Sequence, residues 1–470
     1  MSRKFQVKTI PSAWLGENGR RLDCGPYMSG AIEARQLLKK YNTESLESLT
    51  SGHNGGIYNG PQFVRNYVDD PAHGVPFLTT STMLQADMTN LPMISSKDAH
   101  STKLSYLEVE EGMTLITCSG SIGRMAYARK DMAGCWSNQD IMKVVADSNK
   151  IKPGYLYAYL SSRFGVPIVI SGTYGAIIQH IEPHHIAELP VPRLGDVEDQ
   201  AHELIQKAAE LRVVAAETIR EVTEVIEPTF KLWDEVFSEK ARTARNGFLT
   251  TSTALAKSGR FEATFHDAVA AEIASRVQDQ PHKHLDEICT VVKPGMFKRI
   301  IVDGPEYGYG FVPGSELFTL APKPVYWVSP RTPNIEDCVM SPYWILIQAF
   351  GQLGGLIGRC MMTTPMLEGC AATDLQIQLR FDNKFDAGYT FAVLYSRPGY
   401  KLITRTPIGG SIPHIHPKDI ESLCIPWPEE DVRHAIGKKI VGAWDKREEA
   451  VRLDNEARTL VECSIEEGGH

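Results

Sequence analysis

Two stretches of the chain have apolar residues at the spacing of a long amphipathic helix. Over 197–226 the apolar positions alternate by four and three, and a less regular pattern of the same kind covers about 430–465. Such a seven-residue repeat lines one face of a helix and favours packing on a second helix. We therefore predict two long helices that pair antiparallel as a coiled coil. The predicted contact positions of the first are Val197, Ala201, Leu204, Ala208, Leu211, Ala215, Thr218, Val222 and Val225.

The rest of the chain has the pattern of short strands, turns and short helices. Extended runs are predicted at 75–78 and 309–312, and glycine-rich segments at 119–124 and 354–359 predict hairpin turns. Short helices are expected after Gly154 and Gly388, and single helical turns at Pro183 and Pro417. The pattern therefore predicts an α+β fold in which strands dominate.

Two parts of the chain match each other 234 positions apart. From 154 to 192, 15 of 39 positions are identical to the residue 234 positions later, where about 2 or 3 would match by chance. The same spacing relates Phe63 to Phe297, Arg65 to Arg299, and Asp140 to Asp374. Fixed-period similarity of this kind indicates a duplicated domain.

The duplication and the helical patterns together divide the chain into four segments. We predict a first domain at 1–195, a central helix and linker at 196–245, a second copy of the domain at 246–428, and a distal helix at 429–470. The two copies are tandem pseudo-repeats, each followed by one long helix.

Composition restricts the class of protein without defining it. With 43% apolar and 23% charged residues, the 470-residue chain is typical of a soluble globular protein. It has no apolar run of membrane-spanning length and no hydrophobic signal at residues 1–6, so we expect a cytoplasmic protein. The nine cysteines are scattered, which indicates neither a disulfide framework nor a zinc finger. The net charge of -8 argues weakly against nucleic-acid binding but leaves room for a local basic patch.

The order of these features resembles the specificity (S) subunit of Type I restriction-modification systems. The residues that carry the resemblance are Arg21-Leu22-Asp23 with Arg260-Phe261-Glu262, the Gly-Ser-Ile-Gly-Arg run at 120–124, Gly-Tyr-Leu-Tyr at 154–157, the loop at 175–181, and Leu189-Pro190-Val191-Pro192 with Leu423-Cys424-Ile425-Pro426. The second copy departs from the pattern at 354–356, where Gly-Gly-Leu replaces Ser-Gly-Ser.

The resemblance implies a function in DNA modification and anti-phage defence. In that family each copy is a target recognition domain for one half of a split DNA sequence. The helices set the spacing and dock DNA methyltransferase subunits, of which two are expected, and a restriction or translocase subunit is a further expected partner. The chain would then be a non-catalytic subunit that binds double-stranded DNA, has no cofactor and does not associate with membranes.

The sequence lacks the motifs of the chemistry that such a complex performs. It has no Asn/Asp-Pro-Pro-aromatic tetrad of a DNA methyltransferase and no phosphate-binding Gly-x-x-x-x-Gly-Lys-Ser/Thr loop. The run Asp382-Asn383-Lys384 matches the end of a nuclease motif, but the repeat places Asn149-Lys150 there, which favours a turn. A divergent nuclease and a protein-interaction scaffold with two degenerate domains stay open as alternatives.

Four arginines, Arg65, Arg124, Arg299 and Arg359, are equivalent in the two copies and are predicted to contact DNA phosphates, with Ser119, Ser121 and Lys298 beside them as further candidate DNA contacts. Phosphates accept hydrogen bonds from Arg, Lys, hydroxyls and backbone N–H groups. Two of the candidate arginines adjoin aromatic residues and two follow glycine turns. The alternative for these arginines is an ion pair with Asp140 or Asp374.

Base reading is predicted where the copies differ within aligned loops. Paired hydrogen bonds to base edges need side chains such as Arg, Lys, Asn or Gln. A surface position without a role is the alternative for any one of them. The candidates are Asn138, Gln139, Tyr174 and Gln179 in the first copy, and Lys401 and Arg405 in the second.

One histidine repeats between the copies, as His180 and His414. A structural hydrogen bond, a DNA contact and a metal site are the three interpretations. Pro183 would break a helix that carried His180 and His184 on one face, so the metal site is the weakest of them.

Overall fold

The computed structural model describes residues 7–17, 22, 24–89, 91–173, 180–230 and 251–468. The chain forms two compact units. The first unit consists of Met1–Val213 with Glu449–His470, and the second of Val214–Glu448. Helix and strand are mixed, as predicted, with 44% helical and 17% strand when the two long helices are included. Helical residues outnumber strand residues within each copy even without those helices, so the prediction that strands dominate the copies is wrong. The strands stay short because glycines, prolines and bends interrupt them after two to five residues.

The first unit is built from short strands, short helices and parts of two long helices. Strands β1 to β10 run over Thr43–Ser45, Ile57–Tyr58, Tyr67–Val68, Gly74–Leu78, Met93–Ser95, Thr114–Thr117, Met125–Tyr127, Trp136–Ser137, Ile141–Val144 and Pro190–Pro192. Helices α1 to α8 run over Ser12–Glu17, Gly25–Met28, Ala31–Leu38, Ser96–Ala99, Pro153–Leu160, Gly165–Ser171, Pro183–Ala187 and Asp196–Ile226.

The second unit has strands and helices of similar lengths. Strands β11 to β20 run over His282–His284, Thr290–Val292, Ile301–Val302, Tyr309–Val312, Tyr326–Val328, Ile345–Gln348, Cys360–Met362, Ala371–Ala372, Gln376–Arg380 and Cys424–Pro426. Helices α9 to α15 run over Ser252–Ser258, Ala268–Gln278, Gly314–Leu317, Lys384–Tyr395, Arg397–Thr404, Pro417–Glu421 and Glu430–Glu467. Each helix among the described residues is too short or too polar to span a bilayer.

The sheets of the two units have matching strand orders. In the first unit the orders are β2-β9-β6-β7 and β3-β5-β4-β8, with β1 paired to β10. In the second they are β12-β19-β16-β17 and β13-β15-β14-β18, with β11 paired to β20. The pairs β4–β8 and β14–β18 are parallel, and the other pairs of these sheets are antiparallel.

A glycine lets a short helix lie directly against a long helix in each unit. A Cβ atom on Gly154 of α5 would lie 2.7 Å from His202 Nδ1 of α8. One on Gly388 of α12 would lie 2.5 Å from the carbonyl oxygen of Gly437 in α15. Contacts of this length exclude any side chain, so the repeated glycine is explained by packing.

The buried face of α8 is wider than the predicted one. Ala201, Ala208, Ala215 and Val222 are buried, as predicted for a contact face, and Val197, Leu204 and Leu211 are half-buried against the same cores. Val225, also predicted, is 64% exposed. The buried positions that were not predicted are Ile205, Arg212, Ile219 and Ile226. Each of these four lies one place after a predicted position.

Arg212 is buried because it pairs with Asp454 of α15. The two side chains are 9% and 5% exposed, and Arg212 Nη2 lies 3.0 Å from Asp454 Oδ2. Asp454 Oδ1 is 3.4 Å from Arg458 Nη1. A charged pair inside an apolar helix contact fixes which residues face each other, since any shift would leave a buried charge alone.

We expect Asp454→Ala to lower the free energy of unfolding of the first unit by about 3–5 kcal/mol, because it leaves Arg212 buried without its counter-charge. Urea unfolding followed by circular dichroism measures the change. The double variant Arg212→Met/Asp454→Leu should recover most of the loss, since apolar residues can replace a buried pair. Glu456→Ala, which removes an exposed partner of Arg452 on the same helix, is the matched control and should change little. A loss in the double variant as large as in Asp454→Ala would contradict this account.

Lys143 of β9 is fully buried in the first unit. Its Nζ donates to the Ser137 hydroxyl and lies 5.4 Å from the centre of the Tyr58 ring. Within the described residues, no carboxylate lies within ion-pair distance of it. Burial lowers the pKa of Lys143 to about 7.

This pKa makes the stability of the first unit depend on pH. Between pH of about 7 and 10 the unfolded chain holds a proton on Lys143 that the folded chain has lost, so stability rises with pH, by at most about 1.4 kcal/mol per unit. Lys143→Gln places in β9 the residue that β19 has as Gln378, and it should remove this rise. Urea unfolding of both proteins between pH 7 and 9 measures the difference, and parallel pH profiles would contradict the prediction.

Candidate nucleic-acid interface

In the first unit, Arg65 lies between β2 and β3 and packs on an aromatic pair. Its guanidinium carbon is 5.8 Å from the centre of the Phe77 ring, and Phe63 meets the same ring edge-on at 6.1 Å. Phe77 belongs to β4 and is fully buried, which gives the arginine a fixed platform. Arg65 Nη2 donates to Gln139 Oε1 at 3.2 Å. The side chain is half-buried and positively charged at the surface of the unit.

Gln139 belongs to a polar turn between β8 and β9. Gln139 Nε2 donates to Asp140 Oδ2 at 3.0 Å, and Asn138 Nδ2 reaches the same oxygen at 3.4 Å. The backbone N–H of Asp140 donates to Asn138 Oδ1. The amide of Gln139 therefore stands between the guanidinium of Arg65 and the carboxylate of Asp140. Asn138 is buried, so of the two candidate amides in this turn only Gln139 is partly exposed.

In the second unit, Arg299 packs on Phe311 of β14. Its guanidinium carbon is 4.5 Å from the centre of that ring and 5.9 Å from that of Phe297. Its Nη2 lies 3.3 Å from Asp374 Oδ1, so the ion pair left open by the sequence is formed here. The neighbouring Lys298 is exposed.

A lysine adds charge to the second unit at a position where the first has an amide. Lys293 lies two residues after Val291 of β12, and Asn59 lies two residues after Ile57 of β2. Val291 pairs with Leu379, and Ile57 pairs with Val144, so the two positions correspond. Lys293 Nζ donates to the backbone carbonyl of Asp374 at 3.2 Å. It also lies 5.1 Å from the centre of the Phe350 ring.

Asn59 has polar neighbours instead. Its Nδ2 lies 3.4 Å from Glu182 Oε2 and 3.9 Å from Cys118 Sγ. Burial raises the pKa of Cys118 to about 11, so the thiol is neutral. Neither Asn59 nor Lys293 was predicted as a site residue. They lie 234 positions apart, as the other repeated positions do, so the spacing of the repeat already relates them, and the strand register agrees with it.

The strand pairing gives Asp140 and Asp374 a different correspondence from the one that the 234-residue spacing predicts. Trp136 pairs with Phe77 as Ala371 pairs with Phe311. Counting three residues on from each, Gln139 corresponds to Asp374, and Asp140 corresponds to Leu375. The same register relates the bond from Cys118 N–H to the Asp140 carbonyl with that from Ala349 N–H to the Leu375 carbonyl. The predicted equivalence of Asp140 and Asp374 is therefore wrong by one residue.

The glycine turns connect β6 to β7 and β16 to β17, both antiparallel pairs. They span 118–124 and 349–359, so the second is four residues longer. Ser119 and Ser121 lie in the first turn, where Ser121 and Arg124 are exposed. Arg359 ends the second turn and donates to the Gly355 carbonyl at 3.0 Å.

The extra residues change which positions correspond in these turns. Ser119 forms a bridge with His180 and Phe350 forms one with His414, so Ser119 corresponds to Phe350. The predicted match of Ser119 with Gly354 is wrong for this reason.

The two histidines have structural contacts. His414 stacks on Phe350, with ring centres 5.5 Å apart, and bridges Ile408 as well. No group of three or more His, Cys, Asp or Glu side chains within the described ranges is arranged to hold a metal ion.

Both predicted base readers of the second unit, Lys401 and Arg405, lie on or at the end of a helix rather than in a loop. Lys401 is on α13 and its Nζ pairs with Asp267 Oδ2 at 3.0 Å. Arg405 caps the same helix and packs over Phe265 at 4.9 Å. Burial lowers the pKa of Arg405, and Arg260 adds to the effect. Both side chains stabilise the second unit internally. Tyr174 and Gln179, predicted for the first unit, lie outside the described residues.

No protein-family model matches the chain, and no curated protein matches it in sequence. Among solved structures, it is similar to a Type-I restriction-modification system S subunit from M. genitalium, with 13% identity and a TM-score of 0.29 over 90% of this chain and 95% of that one. The HsdS subunit from Thermoanaerobacter tengcongensis aligns with 13% identity and a TM-score of 0.28 over 91% and 96% of the two chains.

A third similar structure comes from work on complex assembly and conformational transition of the type I R-M system. It has 14% identity and a TM-score of 0.28, over 90% of this chain and 97% of that one. These three structures concern the kind of system that the sequence motifs resemble. At such TM-scores the likeness carries no argument about function, which rests on the residues of the chain itself.

The first glycine turn, which ends at Arg124, offers a matched test of how tightly the turn packs against α6. Gly120 and Gly123 both have positive φ, 72° and 81°. A Cβ at Gly120 would meet nothing within 4 Å, whereas one at Gly123 would lie 2.6 Å from Ile170 Cγ2. We expect Gly120→Ala to destabilise the first unit by about 1–2 kcal/mol through backbone strain alone. Gly123→Ala should cost about 1–3 kcal/mol more, because it also overpacks against α6. Urea unfolding compares them, and equal losses would show that the turn moves away from Ile170.

Proposed function

We propose that the chain is a non-catalytic DNA-specificity subunit of a Type I restriction-modification system or a related phage-defence system. Each unit is a target recognition domain that reads one half of a bipartite duplex site. The chain directs a separate DNA methyltransferase to that site, with a restriction or translocase subunit as a further partner. We place the protein in the cytoplasm, where the DNA is.

The observation that carries the proposal is the recurrence of one basic site in two units of matching strand order. In each, an arginine lies on a phenylalanine of the parallel strand pair and contacts the turn that leads to the next sheet. A glycine turn that ends in a second arginine recurs as well. Paired basic sites on a duplicated domain suit a partner that itself presents two similar surfaces, as the two halves of a split DNA site do.

The long helices support the predicted antiparallel coiled coil. Residues 201, 205 and 209 of α8 share a core with 457, 461 and 465 of α15. Further along α8, Ala208 clusters with Ala450 and Leu453, and residues 215–226 share a core with 440–444. Numbers rise along α8 while they fall along α15, which is the order of an antiparallel pair. On this proposal the pair is the spacer between half-sites, and two methyltransferase subunits dock on it.

Catalysis is assigned to the partner because the sequence has neither the Asn/Asp-Pro-Pro-aromatic tetrad of a DNA methyltransferase nor a phosphate-binding Gly-x-x-x-x-Gly-Lys-Ser/Thr loop. Asn383, in the run that resembles a nuclease motif, accepts hydrogen bonds from the N–H groups of Phe385 and Asp386 and caps α12. This contact explains the residue without a reaction. The net charge of -8 is compatible with DNA binding, since the arginine sites are local and phosphate attraction acts over about 10 Å at moderate salt.

The proposal predicts a methylated motif that depends on this gene. In a host that carries the gene with its neighbouring methyltransferase, methylome sequencing should find two short half-sites separated by a fixed gap. The motif should vanish when this gene alone is deleted and return on complementation. A strain with an inactive methyltransferase and an intact copy of this gene is the matched control and should also lack the motif.

The same experiment separates the alternatives. Methylation that is unchanged by the deletion would remove the specificity role and favour a protein-interaction scaffold. Loss of the motif in a variant of Asp140 or Asp374 that still folds and binds DNA would instead point to a catalytic carboxylate in this chain.

A further inference from the structure

The equivalent arginines Arg65 and Arg299 contact side chains of different charge. In the first unit the contact of Arg65 is the amide oxygen of Gln139, which has no charge. In the second unit the contact of Arg299 at the corresponding position is the carboxylate of Asp374. Each site has one carboxylate in its turn, but Asp140 comes one residue later than the position that contacts the arginine.

The partner of Arg299 is held firmly in place. The Asp374 side chain is 10% exposed and its Oδ1 accepts from the Thr373 hydroxyl at 3.3 Å. Tyr326 stacks on Phe311 at 5.0 Å, so the ring on which Arg299 packs is itself held in place. A phosphate that approaches Arg299 must therefore compete with a preformed acceptor.

The partner of Arg65 offers less competition. An amide oxygen carries no negative charge, so its hydrogen bond to the guanidinium leaves the charge of Arg65 uncompensated, unlike the ion pair of Arg299 with Asp374. The carboxylate of Asp140 is occupied by the amide N–H groups of Gln139 and Asn138. The positive charge of Arg65 is consequently available to a phosphate.

We propose that Gln139 and Asp374 set how strongly each unit holds the DNA backbone, so that the first unit makes a phosphate contact through Arg65 that the second, latched by Asp374, does not make through Arg299. This inference rests on the proposed DNA binding and deepens it. Gln139 and Asp374 act as positioning residues, since they act on DNA through the arginines.

Reciprocal isosteric variants test the inference. Asp374→Asn gives the second unit the neutral amide of the first, and Gln139→Glu gives the first unit the carboxylate of the second. The readout is the slope of log affinity against log salt for a long mixed-sequence DNA duplex, measured on the full-length chain by fluorescence anisotropy. Each phosphate contact contributes about 0.9 to this slope, or about 3.5-fold in affinity between 50 and 200 mM salt.

The two variants should move the slope in opposite directions. We expect Asp374→Asn to steepen it by about 0.9, and Gln139→Glu to make it shallower by about 0.9. Arg65→Met should give the same shallow slope as Gln139→Glu, and the double variant should be no shallower than either. A purely structural role would change stability and leave the slope of the folded protein as it is.

Controls separate the latch from net charge. Asp382→Asn and Asn149→Asp make the same charge changes at exposed positions of the second and first unit. These two should leave the slope within error of the wild type. Equal shifts in controls and variants would overturn the inference, as would parallel slopes for wild type, Asp374→Asn and Gln139→Glu.

Failure of the proposed function has a different signature. If the wild type binds no duplex at low salt, either alone or with the neighbouring methyltransferase, DNA binding itself is wrong. If it binds with a clear salt dependence that the two latch variants do not change, DNA binding stands and the latch is wrong.

Discussion

Each long helix begins in one unit and ends in the other, and the packing of both units depends on this. The boundary between units falls at residue 213 within α8 and at 448 within α15. The core of the first unit therefore includes Ala457, Val461 and Ile465 from the end of the chain. Tyr41 donates to the backbone of Ser464 and Ile465, more than 420 residues away in sequence. Such long-range closure is slow and costs chain entropy, so the first unit cannot be complete until the last helix is made.

An equivalent arginine–glutamate ion pair lies at the end of each of the long helices α8 and α15. Arg163 follows α5 and its backbone N–H donates to Glu462 Oε1 at 2.8 Å. Arg397 begins α13 and its backbone N–H donates to Glu227 Oε1 at 3.2 Å. Each glutamate lies at the end of the long helix that started in the other unit, and each arginine belongs to the repeated Ser-Arg pair. The repeated Ser-Arg pair is therefore explained by helix docking rather than by contact with a ligand.

Sequence patterns were most reliable where backbone geometry decides the residue. The hairpin turns, the single helical turns at Pro183 and Pro417, and both long helices lie where glycine, proline and apolar spacing predict them. Side-chain pairing across the fold escaped prediction. The burial of Arg212 in α8 was not predicted, because it depends on Asp454, which is 242 residues away. The register of the turn at 139–140 was wrong because an identical aspartate occurs one position from the structural match.

Conservation between the units separates packing from the candidate site. Residues that keep the 234-residue spacing, such as Gly154 and Tyr155, hold the short helices against the long ones; Tyr389 donates to the Pro426 carbonyl just as Tyr155 donates to that of Pro192. Around the two arginines the opposite holds: Asn59, Ser119 and Gln139 of the first unit are replaced by Lys293, Phe350 and Asp374. A scaffold with two identical tasks would have no reason to vary these three positions together. The proposed recognition of two different DNA half-sites by one fold accounts for this variation, because each unit would meet a different set of base edges and need not hold the backbone equally strongly.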